Sequence, residues 1–313
     1  MKSQVSQTKT VLSSNKRKKL KKYSVLYLML LPGLLSVFVF SYCTFPGVII
    51  AFKDYNMFRG IFGSDWAGFK HFEDIFTLPE FSGAIWNTMK LSFWNLLFGQ
   101  TVPLLFALLL NEVKSMKYKR VVQTVSYLPH FLSTMAIIGM SYALFSTYGI
   151  INDTRVAMFG EETERVKYLA QQWFFVPNIV GTNIWAGFGW GSIIYLSTIA
   201  GIDAEMYEAA EIDGASRFKQ CIYITLPCIM PTFVMLFIMA IGNLLRDSFD
   251  MVYGLQNAFI NYETISTVVY KQGIVAGNYS LSTALGLFQG VIGLVLVLVT
   301  NKLSKKINNI GLW

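Results

Sequence analysis

Long apolar runs separated by short polar segments are the main feature of this chain. An apolar run of about 20 residues can cross a bilayer as an α-helix, which satisfies its own backbone hydrogen bonds there. The pattern therefore predicts an all-α, polytopic membrane protein with about six transmembrane helices. The six runs cover residues 24–52, 81–110, 121–147, 173–202, 227–245 and 281–303.

The ends of the chain are polar. A basic cluster at residues 16–22 comes directly before the first apolar run. A signal peptide also begins with basic residues, but its apolar core is only about 7–15 residues long. We therefore interpret the first run as a membrane span. The predicted organisation is a cytoplasmic N-terminal tail at 1–22, a transmembrane domain at 23–306 and a C-terminal tail at 307–313.

Composition agrees with a membrane protein, because 54% of the residues are hydrophobic and only 14% are charged. The formal net charge of +8 could also indicate binding to nucleic acid. The distribution of the charge disfavours that function. The segments on the side of the termini carry seventeen Lys and Arg residues, whereas the opposite loops carry eight. Because basic residues accumulate on the cytoplasmic side, both termini and the segment 203–227 are predicted to be cytoplasmic.

The segment 203–227 is a polar, acid-bearing interruption between the fourth and fifth apolar runs. Asp203 is a suitable N-cap for a short helix, and Gly214 can end that helix in a left-handed conformation. Ser216 can cap a second short helix, and Pro227 stands where the next apolar run begins. The segment therefore predicts a helix-turn-helix elbow at the membrane surface.

The spacing within this elbow is that of a known motif: Glu-Ala-Ala, three residues, Gly, nine residues, Ile, one residue, Leu-Pro. Glu-Ala-Ala alone is equally typical of an ordinary capped helix at a membrane surface. The full spacing between two spans resembles the EAA loop of permease subunits in binding-protein-dependent ABC importers. The resemblance assigns ATPase coupling to Glu208, Ala209, Ala210, Asp213, Gly214, Leu226 and Pro227.

The resemblance implies a type I ABC importer permease fold in a bacterial plasma membrane. The Asp213-Gly214-Ala215 variant is typical of the carbohydrate-uptake branch, and residues 279–288 and 311–313 resemble the LplB-like polysaccharide and oligosaccharide permeases. The implied function is import of oligosaccharide or polysaccharide fragments. The implied partners are a second, homologous permease, two ATPase subunits and an extracellular solute-binding protein.

Enzyme chemistry is not evident in the sequence. It contains no Gly-x-x-x-x-Gly-Lys-Ser/Thr phosphate loop and no recognisable nucleophile–base pair. The three cysteines, Cys43, Cys221 and Cys228, have no metal-ligand spacing. We therefore expect no catalytic residue, metal or cofactor, and expect a partner subunit to hydrolyse ATP. An ion-coupled secondary sugar transporter is the alternative, although the spans show neither internal repeats nor buried carboxylates.

Polar residues within the spans are the candidates for substrate contacts, because they are costly in lipid unless they face a cavity or another helix. Asn183, Gly187 and Trp190 fall on one face of the fourth span, where an amide, open space and an aromatic platform suit a sugar. Asn243 and Asp247 lie near the outer end of the fifth span. Helix–helix hydrogen bonding, close packing and interface anchoring are the alternative roles for these residues.

Overall fold

The structure, a computed structural model, describes residues 23–246, 248–308 and 311. The predicted N-terminal tail and most of the predicted C-terminal tail lie outside this range. The described part is mostly helical. Its α-helices are α1 (Ser24–Val37), α2 (Gly60–Gly63), α3 (Lys70–Thr77), α4 (Phe81–Asn111), α5 (Met116–Tyr127), α6 (Thr134–Phe145), α7 (Ile150–Phe159), α8 (Gln172–Ala200), α9 (Ala204–Ile212), α10 (Arg217–Gln220), α11 (Leu226–Gly242), α12 (Phe249–Leu255), α13 (Ile265–Tyr270) and α14 (Tyr279–Asn308).

Short irregular helices and one small sheet complete the fold. Strands β1 (Lys53–Asp54) and β2 (Asp65–Trp66) pair antiparallel, with Lys53 opposite Trp66. Tight 3₁₀ segments occur at Phe45–Phe52, Leu128–Phe131 and Tyr168–Ala170, and wide π-helical turns at Phe38–Tyr42, Cys221–Thr225 and Lys271–Val275.

Five helical segments in the described range are long and apolar enough to cross a membrane. They are Ser24–Phe52, Phe81–Asn111, Thr134–Phe159, Arg217–Gly242 and Tyr279–Lys306. The fourth predicted span corresponds to α8, which has 29 residues and carries several amide and hydroxyl side chains. The prediction of an all-α membrane bundle is confirmed.

The third predicted span, 121–147, is not one helix. Helix α5 ends at Tyr127, and α6 begins only at Thr134. Pro129 lies in the 3₁₀ turn between them and has no N–H to continue the α-helical ladder. The hydroxyl of Ser133 then caps α6 by accepting a hydrogen bond from the Ala136 N–H at 3.2 Å. The single predicted span is therefore broken into two helices at this proline.

The fifth predicted span, 227–245, begins too late. The helix starts with α10 at Arg217 and runs through the π turn Cys221–Thr225 into α11. Pro227 cannot donate a backbone hydrogen bond, and the wider turn directly before it accommodates that missing donor. The second half of the predicted elbow is therefore the first part of a membrane helix.

The bundle is organised around α4 and α8, which pack along most of their length. Leu91 of α4 and Ile179 of α8 are fully buried in the core cluster farther from the elbow. Towards the elbow, Ala107, Tyr195 and Ile229 bury a contact among α4, α8 and α11. Helices α5 and α8 approach closely because Gly189 has no side chain: a Cβ there would lie 2.0 Å from the Ser126 carbonyl oxygen.

Helix α1 differs from the other long helices, because it has no buried residue. The most apolar part of the longer segment Ser24–Phe52, which begins with α1, also has no buried residue. The chain rejoins the bundle at the following segment, Phe45–Phe52, which packs against α14. An apolar helix that stands away from its own bundle is left to contact lipid or another subunit.

Candidate functional site

The elbow has the local structure that the sequence predicts. Asp203 caps α9, with its Oδ1 accepting a hydrogen bond from the Glu205 N–H at 3.0 Å. Gly214 ends the helix with a φ of +75°, in the left-handed region. The Ser216 hydroxyl caps α10 by accepting from the Lys219 N–H at 3.4 Å. These three predictions are confirmed, because each depends on residues close together in sequence.

Hydrogen bonds tie the elbow to the membrane helices. The Tyr207 hydroxyl of α9 shares a 2.9 Å hydrogen bond with the hydroxyl of Thr225, which is buried. The Gln220 amide donates to the Ala215 carbonyl oxygen at 3.2 Å. A displacement of α9 would therefore be transmitted directly to the helix that contains α11.

The outer surface of the elbow combines acidic and apolar side chains. Glu208, Ala209 and Asp213 are exposed, whereas Ala210 is half-buried. Ile212 and Phe218, on either side of the turn, are 87% and 74% exposed. Large apolar side chains that are this exposed next to acids are typical of a protein contact surface. The sequence argument missed these two, although apolar residues beside the turn glycine in a polar loop are a visible signal.

The last two motif residues, Leu226 and Pro227, do not lie on the exposed face of the elbow. Leu226 is half-buried and packs with the cluster around Ile229. Pro227 follows it in the first turn of α11 and is exposed. These residues therefore belong to the membrane helix behind the elbow, and the exposed face of the elbow is formed by α9 and α10.

A cavity of about 530 Å³ lies between α4, α8 and the end of α11 that is farther from the elbow. Three of the residues predicted from the sequence line it: Asn183, Gly187 and Asn243. A Cβ added to Gly187 would meet no atom within 4 Å, so this glycine leaves open space. The structure thus brings together an amide pair and a gap from two different helices.

Other polar residues that the sequence argument missed complete the cavity. The Asn183 amide lies 3.4 Å from the Asn95 Oδ1 and 3.4 Å from the Ser248 Oγ. Gln100 lines the same wall and accepts a hydrogen bond from the Tyr195 hydroxyl at 3.4 Å. Arg246 also lines the cavity. Asn95 and Gln100 could have been found, because both interrupt the apolar run of α4.

Two of the predicted substrate residues are not placed in the cavity. The ring of Trp190 stacks on His130 with centroids 4.6 Å apart and is edge-on to Phe131. The 3₁₀ turn after α5 packs against this part of α8, and its rings contact Trp190. Helical spacing alone put Trp190 on the cavity face because it does not report this contact. Asp247 lies outside the described residues.

The side chains that line the cavity are suited to binding a ligand by hydrogen bonds. Its polar groups are amides, hydroxyls and one guanidinium, which donate to and accept from hydroxyl-rich ligands in both directions. Within the described range, no three His, Cys, Asp or Glu side chains form a group that could hold a metal ion.

Comparison with known proteins defines the class. The sequence profile of the family described as binding-protein-dependent transport system inner membrane component matches residues 99–309. The chain therefore belongs to this family, the membrane permease components of ABC transporters, and the predicted EAA loop is a motif of that family.

Individual relatives extend this result over nearly the whole chain. Protein LplB of Bacillus subtilis (strain 168) is 41% identical over 297 residues, covering 94% of this chain and 92% of that protein. The polygalacturonan/rhamnogalacturonan transport system permease protein YteP of the same organism has the same identity and coverage. A crystal structure of a bacterial alginate ABC transporter, in complex with an alginate pentasaccharide-bound periplasmic protein, has a similar chain. That chain has a TM-score of 0.82 and 36% identity, with 94% of this chain and 99% of that chain covered. The predicted type I permease fold is confirmed.

Proposed function

We propose that this chain is the permease subunit through which an ABC importer moves oligosaccharides or polysaccharide fragments into the cell. The observation that carries the proposal is the amide- and hydroxyl-lined cavity between α4, α8 and α11. Polar groups within membrane helices are costly unless they serve a passage or a partner. The relatives named for polygalacturonan, rhamnogalacturonan and alginate transport support the same substrate class.

Each residue of the proposed site has a role that follows from its chemistry. Asn183, Asn95 and Ser248 exchange hydrogen bonds with sugar hydroxyls in place of their present contacts with one another. Gly187 leaves the volume for a ring, and Asn243 extends the polar wall outwards. The present contacts at 3.4 Å are long, so a ligand can replace them at little cost.

The elbow is proposed to couple this cavity to ATP hydrolysis. In this proposal α9 docks in a groove on one of two separate ATPase subunits, with Ile212 and Phe218 buried in the contact. Glu208 and Asp213 pair with basic groups at the rim of that groove, which sets the orientation more than the affinity. The topology of the proposal places the elbow and both termini in the cytoplasm, where ATP is available.

A second, homologous permease is proposed to cover α1. This helix is apolar, has no buried residue and stands away from its own bundle. A partner bundle would bury one face of α1. An extracellular solute-binding protein then delivers the sugar from the side opposite the elbow, as the periplasmic protein in the alginate transporter structure suggests.

The test uses the purified importer complex reconstituted in lipid nanodiscs. ATP hydrolysis is measured with and without the sugar-loaded binding protein. Ile212→Asp places a charge in the proposed ATPase contact and should abolish the stimulation. Phe259→Asp is the matched control, because Phe259 is 75% exposed in the segment between α12 and α13, outside the candidate membrane spans and away from the elbow. Normal stimulation in Ile212→Asp would contradict the proposed coupling surface.

A further inference from the structure

A second cavity, of about 1010 Å³, lies between the outer halves of α4 and α8. Ile184 lines both this cavity and the one described above, so the two are adjacent. We refer to the second cavity as the outer groove. Its wall contains a lysine, four aromatic side chains and several amides, a mixture that neither lipid chains nor a simple helix contact requires.

Lys90 is the only charged residue in the 31-residue helix α4. At 1.5 Å per residue it lies about 14 Å along the helix from its first residue. It is exposed in the groove and makes no ion pair with any residue that the structure describes. Glu263, on the neighbouring outer segment, is already engaged by Lys271 and Thr267. A charged side chain within a membrane helix normally faces a cavity and marks a site for a ligand or ion.

Aromatic rings lie one turn further along the same helix. Trp94 and Phe98 are nearly parallel, with centroids 5.6 Å apart and an interplanar angle of 12°. Trp173, from the first turn of α8, lines the groove and is 65% exposed. Flat aromatic faces bind the apolar face of a ring while its edge stays available for polar contacts.

The rim of the groove is held in place by hydrogen bonds to one outer loop segment. The Asn87 amide donates to the Glu263 carbonyl oxygen at 2.9 Å. The Tyr262 hydroxyl donates to the Asn87 carbonyl oxygen, also at 2.9 Å. The Gln172 amide donates to the Asn261 carbonyl oxygen at 2.9 Å. The groove is therefore a formed site with a fixed edge.

We propose that the outer groove is a sugar subsite that binds an anionic ring, a uronate, with Lys90 contacting its carboxylate and Trp94 and Trp173 contacting its faces. Among the described residues that line the two cavities, the charged side chains are Lys90 and Arg246, and both are cationic. A path with this charge favours an acidic chain over a neutral one. The inference rests on the proposed function and specifies its substrate class.

Direct binding to the importer complex tests the proposal, in nanodiscs of zwitterionic lipid and without the binding protein. The probes are tri-galacturonic acid and the carboxyl-reduced trisaccharide of the same length. The wild type should prefer the acid by about tenfold, since a hydrogen bond to a charged group is worth this much. The preference should fall as salt is raised.

The variants separate charge from stacking. Lys90→Gln should abolish the preference for the acid, Lys90→Arg should keep it, and Trp94→Ala should weaken both sugars together. Lys167→Gln, which removes an exposed lysine of another outer loop, should change nothing. An undiminished preference for the acid in Lys90→Gln would overturn the proposal. The proposal would also be overturned if Lys90→Gln bound both sugars as the wild type does but lost co-purified anionic lipid, because Lys90 would then bind lipid. If the wild type bound neither sugar, the proposed function itself would fail.

Discussion

Gly214 allows the coupling role of the elbow to be tested with a single methyl group. Its φ is +75°, and a Cβ added there would meet no atom within 4 Å. Gly214→Ala therefore adds no clash, and its whole effect is the cost of holding a non-glycine residue in the left-handed region. That cost is about 1–2 kcal/mol. It corresponds to a loss of about 5–30-fold in the population of the correctly turned elbow.

The assay is ATP hydrolysis by the purified complex, stimulated by sugar-loaded binding protein, together with the yield of assembled complex. Gly214→Ala should lower the stimulation several-fold. Gly214→Asn should recover most of it, because asparagine tolerates the left-handed region better than other residues.

Gly277 supplies the matched control. Its φ is +72°, and a Cβ added to it would likewise meet no atom within 4 Å, but it lies between α13 and α14. Gly277→Ala carries the same backbone cost and should leave the stimulation unchanged. Equal losses in Gly214→Ala and Gly277→Ala would refute the reasoning, because the effect would then be general strain.

Three further predictions concern the cavity and the topology. Asn183→Leu should lower sugar uptake per assembled complex. The control is Asn178→Leu, which breaks the buried hydrogen bond between Asn178 and Ser141; it should lower thermal stability by about 1–3 kcal/mol and leave uptake per complex unchanged. Gly187→Leu should block uptake by filling open space, with normal assembly; unchanged uptake would exclude it from the path. In a background without native cysteines, a membrane-impermeant reagent should label Thr163→Cys from outside and miss Ser115→Cys, and the reverse would overturn the topology.

The elbow is the part of the fold that sequence rules predict best. Asp203, Gly214 and Ser216 each act on neighbours within a few residues, so their caps and turn do not depend on the rest of the bundle. The existence of the long helices is predictable for the same reason, because length and hydropathy are local. The coupling surface was only partly predictable, since the motif does not include Ile212 or Phe218.

Tertiary packing decided the features that the sequence did not predict. Trp190 has the helical spacing of a cavity residue, but its ring stacks on His130 of the neighbouring segment. Asn95 and Gln100 interrupt an apolar run, but that they line the same cavity as Asn183 follows from the packing of α4 along α8. The start of the fifth span at Arg217 depends on how the π turn accommodates Pro227, which hydropathy does not report.

Uptake of labelled oligosaccharide into vesicles that contain the reconstituted importer tests the central claim most directly. ATP is enclosed with the ATPase side inside, loaded binding protein is added outside, and an ionophore collapses all ion gradients. Coupling through the elbow predicts uptake that continues with the ionophore, requires ATP, and is lost in Glu208→Lys. Uptake that proceeds without ATP, stops with the ionophore and survives Glu208→Lys would contradict the account and indicate an ion-coupled carrier.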